Sequence, residues 1–331
     1  MAQIRLLALP LLLVACGGDD GGNSVIVPEG MHTGMVVKEV KVPTNSTQAR
    51  EFGLDLGASK SSKLDGTVDN QLGMVLGTLA GQGFDVQGGI DQAVASGDII
   101  LLVDFQTKDF AASSAAGISV KLGANPQPPA CADANDMTCG KHLAGGATFT
   151  VAANSPNNAA LAGKIVGNTF TGGPGKITLQ ISLGGTEPIT LDLYSARAKA
   201  SGISATGITN LVFAGALTKA DLDSKVIPAI HGQLGPLITR DCTGTAPPEP
   251  CGCAANSTGK TILDLFDTNP KDCTVSVAEI QTNTLIQSLL SPDVCAQTDG
   301  STKDATCDAP NALSLGIAGS AINAMFPLPA E

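Results

Sequence analysis

The sequence predicts an α+β fold, dominated by an antiparallel meander with packed helices and stapled by disulfides. Three observations predict it. The neighbouring segments 176–183 (KITLQISL) and 188–194 (PITLDLY) alternate apolar and polar residues and are joined by GGTE, a hairpin signal. Apolar stripes with helical spacing recur at 68–80 and 218–238. Eight of the nine cysteines form an even set downstream of the first, as an oxidising compartment favours.

In chain order, VVKEVKV (36–42) and IILLVDF (99–105) read as strands, the second apolar enough to be buried on both faces. Further strands fall at 118–122 and 147–152, then the hairpin, and 203–206 and 208–213 extend its meander. Val68, Leu72, Val75, Leu76 and Leu79 share one stripe of a helix over 68–80, with Thr67 as its cap. A longer helix begins TKADL at Thr218 and aligns Leu222, Val226, Ile230, Leu234 and Leu237. Pro228 and Gly235-Pro236 should kink or break it. Its polar face lacks the Lys/Arg excess of an interfacial helix, so the stripe belongs to a core. The loop 241–257, containing APPEPCGC, marks a boundary between a β-rich body, 31–240, and a helical, cysteine-rich part, 241–331.

Composition narrows the partners. The chain carries a net charge of −11, which disfavours nucleic acid and anionic surfaces because both need basic patches. It contains no Trp and one Tyr, which lowers the expectation of sugar or base stacking. Apolar residues make up 43% of the chain, enough for a packed core.

Residues 1–15 have the parts of an export signal, with Arg5 ahead of the apolar run 6–14. That run is shorter than the ~20 residues of a membrane-spanning helix. Leu13-Val14-Ala15-Cys16 resembles the bacterial lipobox. The resemblance implies cleavage before Cys16, acylation of Cys16, and membrane attachment through an N-terminal lipid. Gly17, where an Asp would retain a lipoprotein at the inner membrane, implies an outer-membrane address, facing the periplasm or the cell surface. Residues 16–30 then comprise the lipidated cysteine and a Gly-rich tether. Cys16 is the odd cysteine.

The other eight are Cys131, Cys139, Cys242, Cys251, Cys253, Cys273, Cys295 and Cys307. Cys131/Cys139 and Cys295/Cys307 are local pairs closing polar loops. Cys251 and Cys253 are too close to pair with each other, so one joins Cys242 and the other Cys273. The spacing lacks the paired C-x₂-C of structural zinc sites, and disulfides are preferred.

One stretch suggests a bound ion. In DLFDTNPKDCTVSVAE, Asp267, Asn269, Asp272, Ser276 and Glu279 follow the order of oxygen ligands in a calcium-binding loop, with Val275 at its apolar position. The stretch is similar to an EF-hand or dockerin-type calcium loop, which implies structural Ca²⁺. Pro270 makes it one residue too long, and Cys273 stands where the turn glycine belongs. The competing reading is a capping box, Ser276-x-x-Glu279, ahead of an apolar helix. A second acidic turn, LDGTVDNQLG, offers Asp65, Asp69 and Asn70, and reads as a turn and helix cap.

No catalytic signature appears. His32, His142 and His231 stand apart at no ligand spacing, and GISATG around Ser204 has one residue too many for a nucleophile elbow. With the lipobox, the segments VDNQLG, GALTKADLDSKVIPAI, DTNPKDCTVSVAE and SLLSPDV make the chain resemble uncharacterised myxobacterial-type outer-membrane lipoproteins. The expected function is a membrane-anchored, non-catalytic binding or scaffold role. The alternatives are a carrier of a hydrophobic lipid ligand, using an apolar groove between sheet and helix, and a surface hydrolase.

Overall fold

Strand alternation is carried through almost the whole body. β1 (Met31–Lys41), β2 (Leu101–Thr107) and β3 (Ser113–Gln127) pair antiparallel in sequence. β4 (Ala147–Val151) is a short flap on the end of β3. β5 (Leu161–Val166), β6 (Thr169–Ile181), β7 (Ile189–Ser204) and β8 (Gly207–Thr218) continue the meander, and β9 (Ala312–Met325) follows a long helical excursion. β3 also pairs with β5, and β9 with both β8 and β1. The meander therefore closes into an eight-stranded antiparallel barrel, β1-β2-β3-β5-β6-β7-β8-β9. This computed structural model describes residues 26–56, 67–81, 86–133, 136, 138–181, 188–243, 251–268, 270–298 and 307–329.

Period-two patterning decides which side chains fill the barrel. On β5, Leu161 and Ile165 are buried while Lys164 and Val166 are exposed. Across the strands Met35, Val103, Ile118, Phe170, Leu193, Leu211 and Ile317 join one continuous core. Phe105 meets Phe170 edge-on, with centroids 5.3 Å apart, and both are fully buried. Eight strands enclose a space about wide enough for side chains to fill, and here they fill it. The outer wall bears Lys164, Thr171, Lys176, Thr190, Lys199 and Asn210, all exposed. Apolar inside and polar outside is the inverse of the pattern a membrane-spanning barrel needs. Among the described residues no helix is long and apolar enough to cross a membrane.

Helices close one end. α1 (Ser46–Glu51), α2 (Gln71–Gly81) and α3 (Val86–Ser96) lie between β1 and β2 in the chain. Leu72, Val75 and Leu76 of α2 and Ile90 and Val94 of α3 belong to the barrel core, as do Leu222 and Val226. Gln87 of α3 acts as a substitute strand partner: its Oε1 accepts from Val42 N at 2.9 Å and its Nε2 donates to Val40 O at 2.9 Å. α4 (Lys219–Asp221) is capped by Thr218 and runs through a π-helical turn, Leu222–Val226, into α5 (Ile227–Asp241). The expected break thus takes the form of a widened turn. Pro228 has no N–H to offer the preceding turn, whereas Pro236 is accommodated inside α5.

α6 (Thr258–Phe266), α7 (Val277–Thr282) and α8 (Thr284–Leu289) pack with α5 around a second core of Ile227, Leu234, Ile238, Ile262, Leu263, Phe266 and Ile280. Four disulfides are present. Cys242–Cys253 and Cys251–Cys273 staple this helical part, Cys131–Cys139 closes the loop before β4, and Cys295–Cys307 closes the loop before β9. The part beginning at 241 differs from the helical unit read from the sequence: it ends in β9, which completes the barrel.

Candidate functional sites

The acidic loop begins where α6 stops. Asp267 is 2% exposed, and its two oxygens accept from Asp272 N at 3.0 Å and Cys273 N at 2.9 Å. These bonds fold the loop back beneath α6. Cys273 sits at φ 65°, a left-handed position that would suit glycine, and its disulfide to Cys251 holds it there. Asp272 accepts from both the amide and the hydroxyl of Thr274, at 3.0 and 2.5 Å. Ser276 caps α7, and Glu279 returns to Ser276 N at 2.9 Å, completing a capping box. The other oxygen of Glu279 accepts from Thr268 N at 3.0 Å. The loop thus gathers Asp267, Asp272, Ser276 and Glu279, while Asn269 lies outside the described residues.

What the arrangement does chemically is solvate amides. Each carboxylate oxygen of Asp267 and Glu279 serves an N–H at the loop ends, which leaves it a second lone pair that a cation can use. Cys251, Asp267 and Cys273 bring ligand-type atoms within 4.8 Å of one another. Both sulfurs are joined in a disulfide, however, and the thiolate is the form that binds metal.

The second acidic turn is also tied to backbone. Asp69 Oδ2 accepts from Leu56 N at 2.6 Å. Asn70, not Thr67, caps α2, accepting from Gly73 N at 3.1 Å. Asn70 also accepts from Gly316 N at 2.8 Å and donates to Ala49 O and Gly316 O at 2.9 and 3.2 Å. One buried amide therefore joins α1, α2 and β9. Asp65 lies outside the described residues. Nearby, Asp293 accepts from Ser314 N and Oγ at 2.8 and 2.5 Å, and Ser314 Oγ in turn accepts from Gln71 N at 2.7 Å. Burial pushes the Asp293 carboxyl up from its ordinary value, against the pull of its bonds to Ser314.

The three histidines occupy separate settings. His32 Nδ1 lies 2.8 Å from the buried Asp104 on the outer face of β1 and β2. His231 Nε2 bonds Val275 O at 2.8 Å, fixing the acidic loop to α5. His142 is fully buried against Phe149, and neither ring nitrogen has a hydrogen-bond partner. Burial lowers its pKa.

A groove of about 360 Å³ runs over the outer wall where β7, β8, β9 and β1 meet the chain after α1. Ala318 and Gly319 form its floor, Lys41, Lys199 and Asn210 flank it, and Glu51–Leu54 supplies one side. β-bulges in β1 at Val37/Glu39 and in β8 at Ile208/Leu211 border it. Sequence reasoning missed these residues because they come from four strands and an intervening turn; only the run of small residues in AGSA could have marked the floor. Cys16 lies outside the described residues. No protein-family profile, characterised protein or solved structure matches this chain.

Proposed function

We propose that the chain is an exported lipoprotein, held on a bacterial envelope membrane by an acylated Cys16, whose barrel acts as a non-catalytic binding or scaffold module. The filled barrel carries this reading. With Phe105, Phe170 and their neighbours occupying the interior, recognition belongs to the outer wall. The groove over β8, β9 and β1 is the concave part of that wall. Its small residues Ala318 and Gly319 admit an extended segment, and its lining carries both signs, Lys41 and Lys199 with Glu51, Lys41 being paired to Glu39 at 3.2 Å. The disulfides favour an oxidising compartment. The acidic loop closes on its own amides, which Asp267 and Glu279 hold.

The test is site-specific crosslinking in the membrane-bound protein. A photoreactive residue at Asn210 should trap a partner that the same residue at Lys164, three strands around the barrel, does not. Ala318→Trp, which fills the floor, should abolish the adduct. Turnover of an ester, peptide or glycoside panel by the purified chain, or lipid that co-purifies in stoichiometric amount, would overturn the reading.

A further inference from the structure

We infer that the barrel stands on the lipid surface with its mouth, the end opposite the helices, facing the bilayer. This rests on the reading of Cys16 as the acylated anchor. At the mouth β1 begins, β5 ends and β9 ends. Met31 there pairs with Thr107 at the close of β2, and Val166 pairs with Thr169 across the β5–β6 turn. Val27, Met31, Val166 and Met325 are 68, 67, 65 and 58% exposed, the four most exposed large apolar side chains among the described residues. Met31, Val166 and Met325 stand at strand ends of the mouth, and Val27 lies just before Pro28, which packs over Gly117 of β3. The remaining exposed ones include Leu265 at 37% and Leu285 at 47%, on the helical excursion that follows β8 and precedes β9 at the opposite end. Near the mouth Lys108 pairs with Glu29, and the Asp109 carboxylate accepts from Ala111 N at 2.8 Å.

Chain length points the same way. Glu29 N donates to Ala115 O near the start of β3, and Pro28 packs over Gly117, so the described chain enters close to the mouth. Cys16 is ten residues before Ile26. Ten residues reach at most ~35 Å and, in a Gly-rich chain, span ~17 Å on average. The twelve residues of β8 rise about 30 Å at an ordinary barrel tilt, and the helices add about 10 Å. An anchored Cys16 reaches a bilayer at the mouth with slack, whereas one beyond the helices, about 40 Å away, exceeds the ~35 Å limit.

The absence of Trp makes the orientation measurable. Single tryptophans are placed at Val166 or Met325, and in separate variants at Leu265 or Leu285; all are exposed, so folding is preserved. The oxidised chain beginning at Cys16 is coupled through that thiol, the one cysteine outside the four disulfides, to a maleimide lipid in phosphatidylcholine vesicles with brominated acyl chains. The expected result is loss of at least half of the emission for Val166→Trp and Met325→Trp, and none for Leu265→Trp and Leu285→Trp. Equal quenching at both ends, stronger quenching at the helical end, or none at the mouth would overturn the orientation. Because the lipid is attached chemically, this outcome is independent of whether the cell acylates Cys16. Fractionation of cells expressing Cys16→Ser settles that point separately.

Discussion

Replacing Asn70 by Ala tests the junction between α1, α2 and β9. The amide is 6% exposed and makes four bonds, two accepted and two donated. At a net contribution near 1 kcal/mol per bond, with buried groups left unsatisfied, the loss is about 4 kcal/mol. Spread over an unfolding entropy of ~2.1 cal/mol/K per residue, that lowers Tm by about 6 °C for a chain of this size. The assay is guanidinium unfolding of the oxidised chain followed by far-UV circular dichroism, with a parallel thermal scan. Asn70→Asp separates the two halves of the amide. It keeps the acceptor for Gly73 N and Gly316 N but aims a second carboxylate oxygen at Ala49 O and Gly316 O, which have no proton to give. Asn70→Asp should therefore cost at least as much as Ala at neutral pH, and recover part of the loss in acid as the carboxyl gains a proton. A cost below 1 kcal/mol for both variants would refute the assignment of this junction as a keystone of the barrel end.

Other outcomes follow from the same reasoning. Ser276→Ala should cost about 1 kcal/mol by removing a cap, and melts in millimolar calcium and in chelator should superimpose; a calcium-dependent rise would mean that Asp267 and Glu279 hold an ion as well as their amides. His142→Leu removes two unpartnered buried nitrogens and should stabilise the protein by ~1 kcal/mol at pH 7; a loss there would show that a partner exists. Its folded pKa lies below the unfolded value near 6.5. Protonation therefore favours the unfolded chain, and stability present above that value falls as pH drops below it. The parent should lose this component in unfolding titrations between pH 7 and 5, and His142→Leu should not. Cys251→Ala with Cys273→Ala should cost about 3 kcal/mol through the helical part, read by denaturant unfolding; unchanged stability would mean that Asp267 shapes the loop unaided.

How much of this was legible follows from where the apolar residues stand. The hairpin β6–β7 alternates Leu, Ile and Val against polar partners, so its period is visible in the letters, and β2 is legible instead as an apolar run buried on both faces. β9 reads ALSLGIAGSAINAM, and its small residues hide the alternation. They are small for a reason found elsewhere in the chain: a Cβ at Gly316 would collide with Phe52 O, and one at Gly319 with Glu39 O. Closure of the meander was invisible for the same reason, since it depends on β9. The two local disulfides and the Ser276–Glu279 box involve near neighbours and could be read directly. The burial of Asp267 could not, because it depends on Cys251 and His231, both distant in sequence.

The position of β9 also sets the order in which the barrel can form. Glu39 and Ser320 touch across 281 residues of chain, so β1 and β8 keep unpaired edges until nearly the whole polypeptide is available. Contacts of such sequence separation slow folding, and open strand edges invite pairing with other chains. An N-terminal fragment stopping before Ala312 should therefore aggregate rather than hold a partial barrel. In the cell the interval before the last strand arrives is the period of greatest hazard, in which a holding chaperone would matter most.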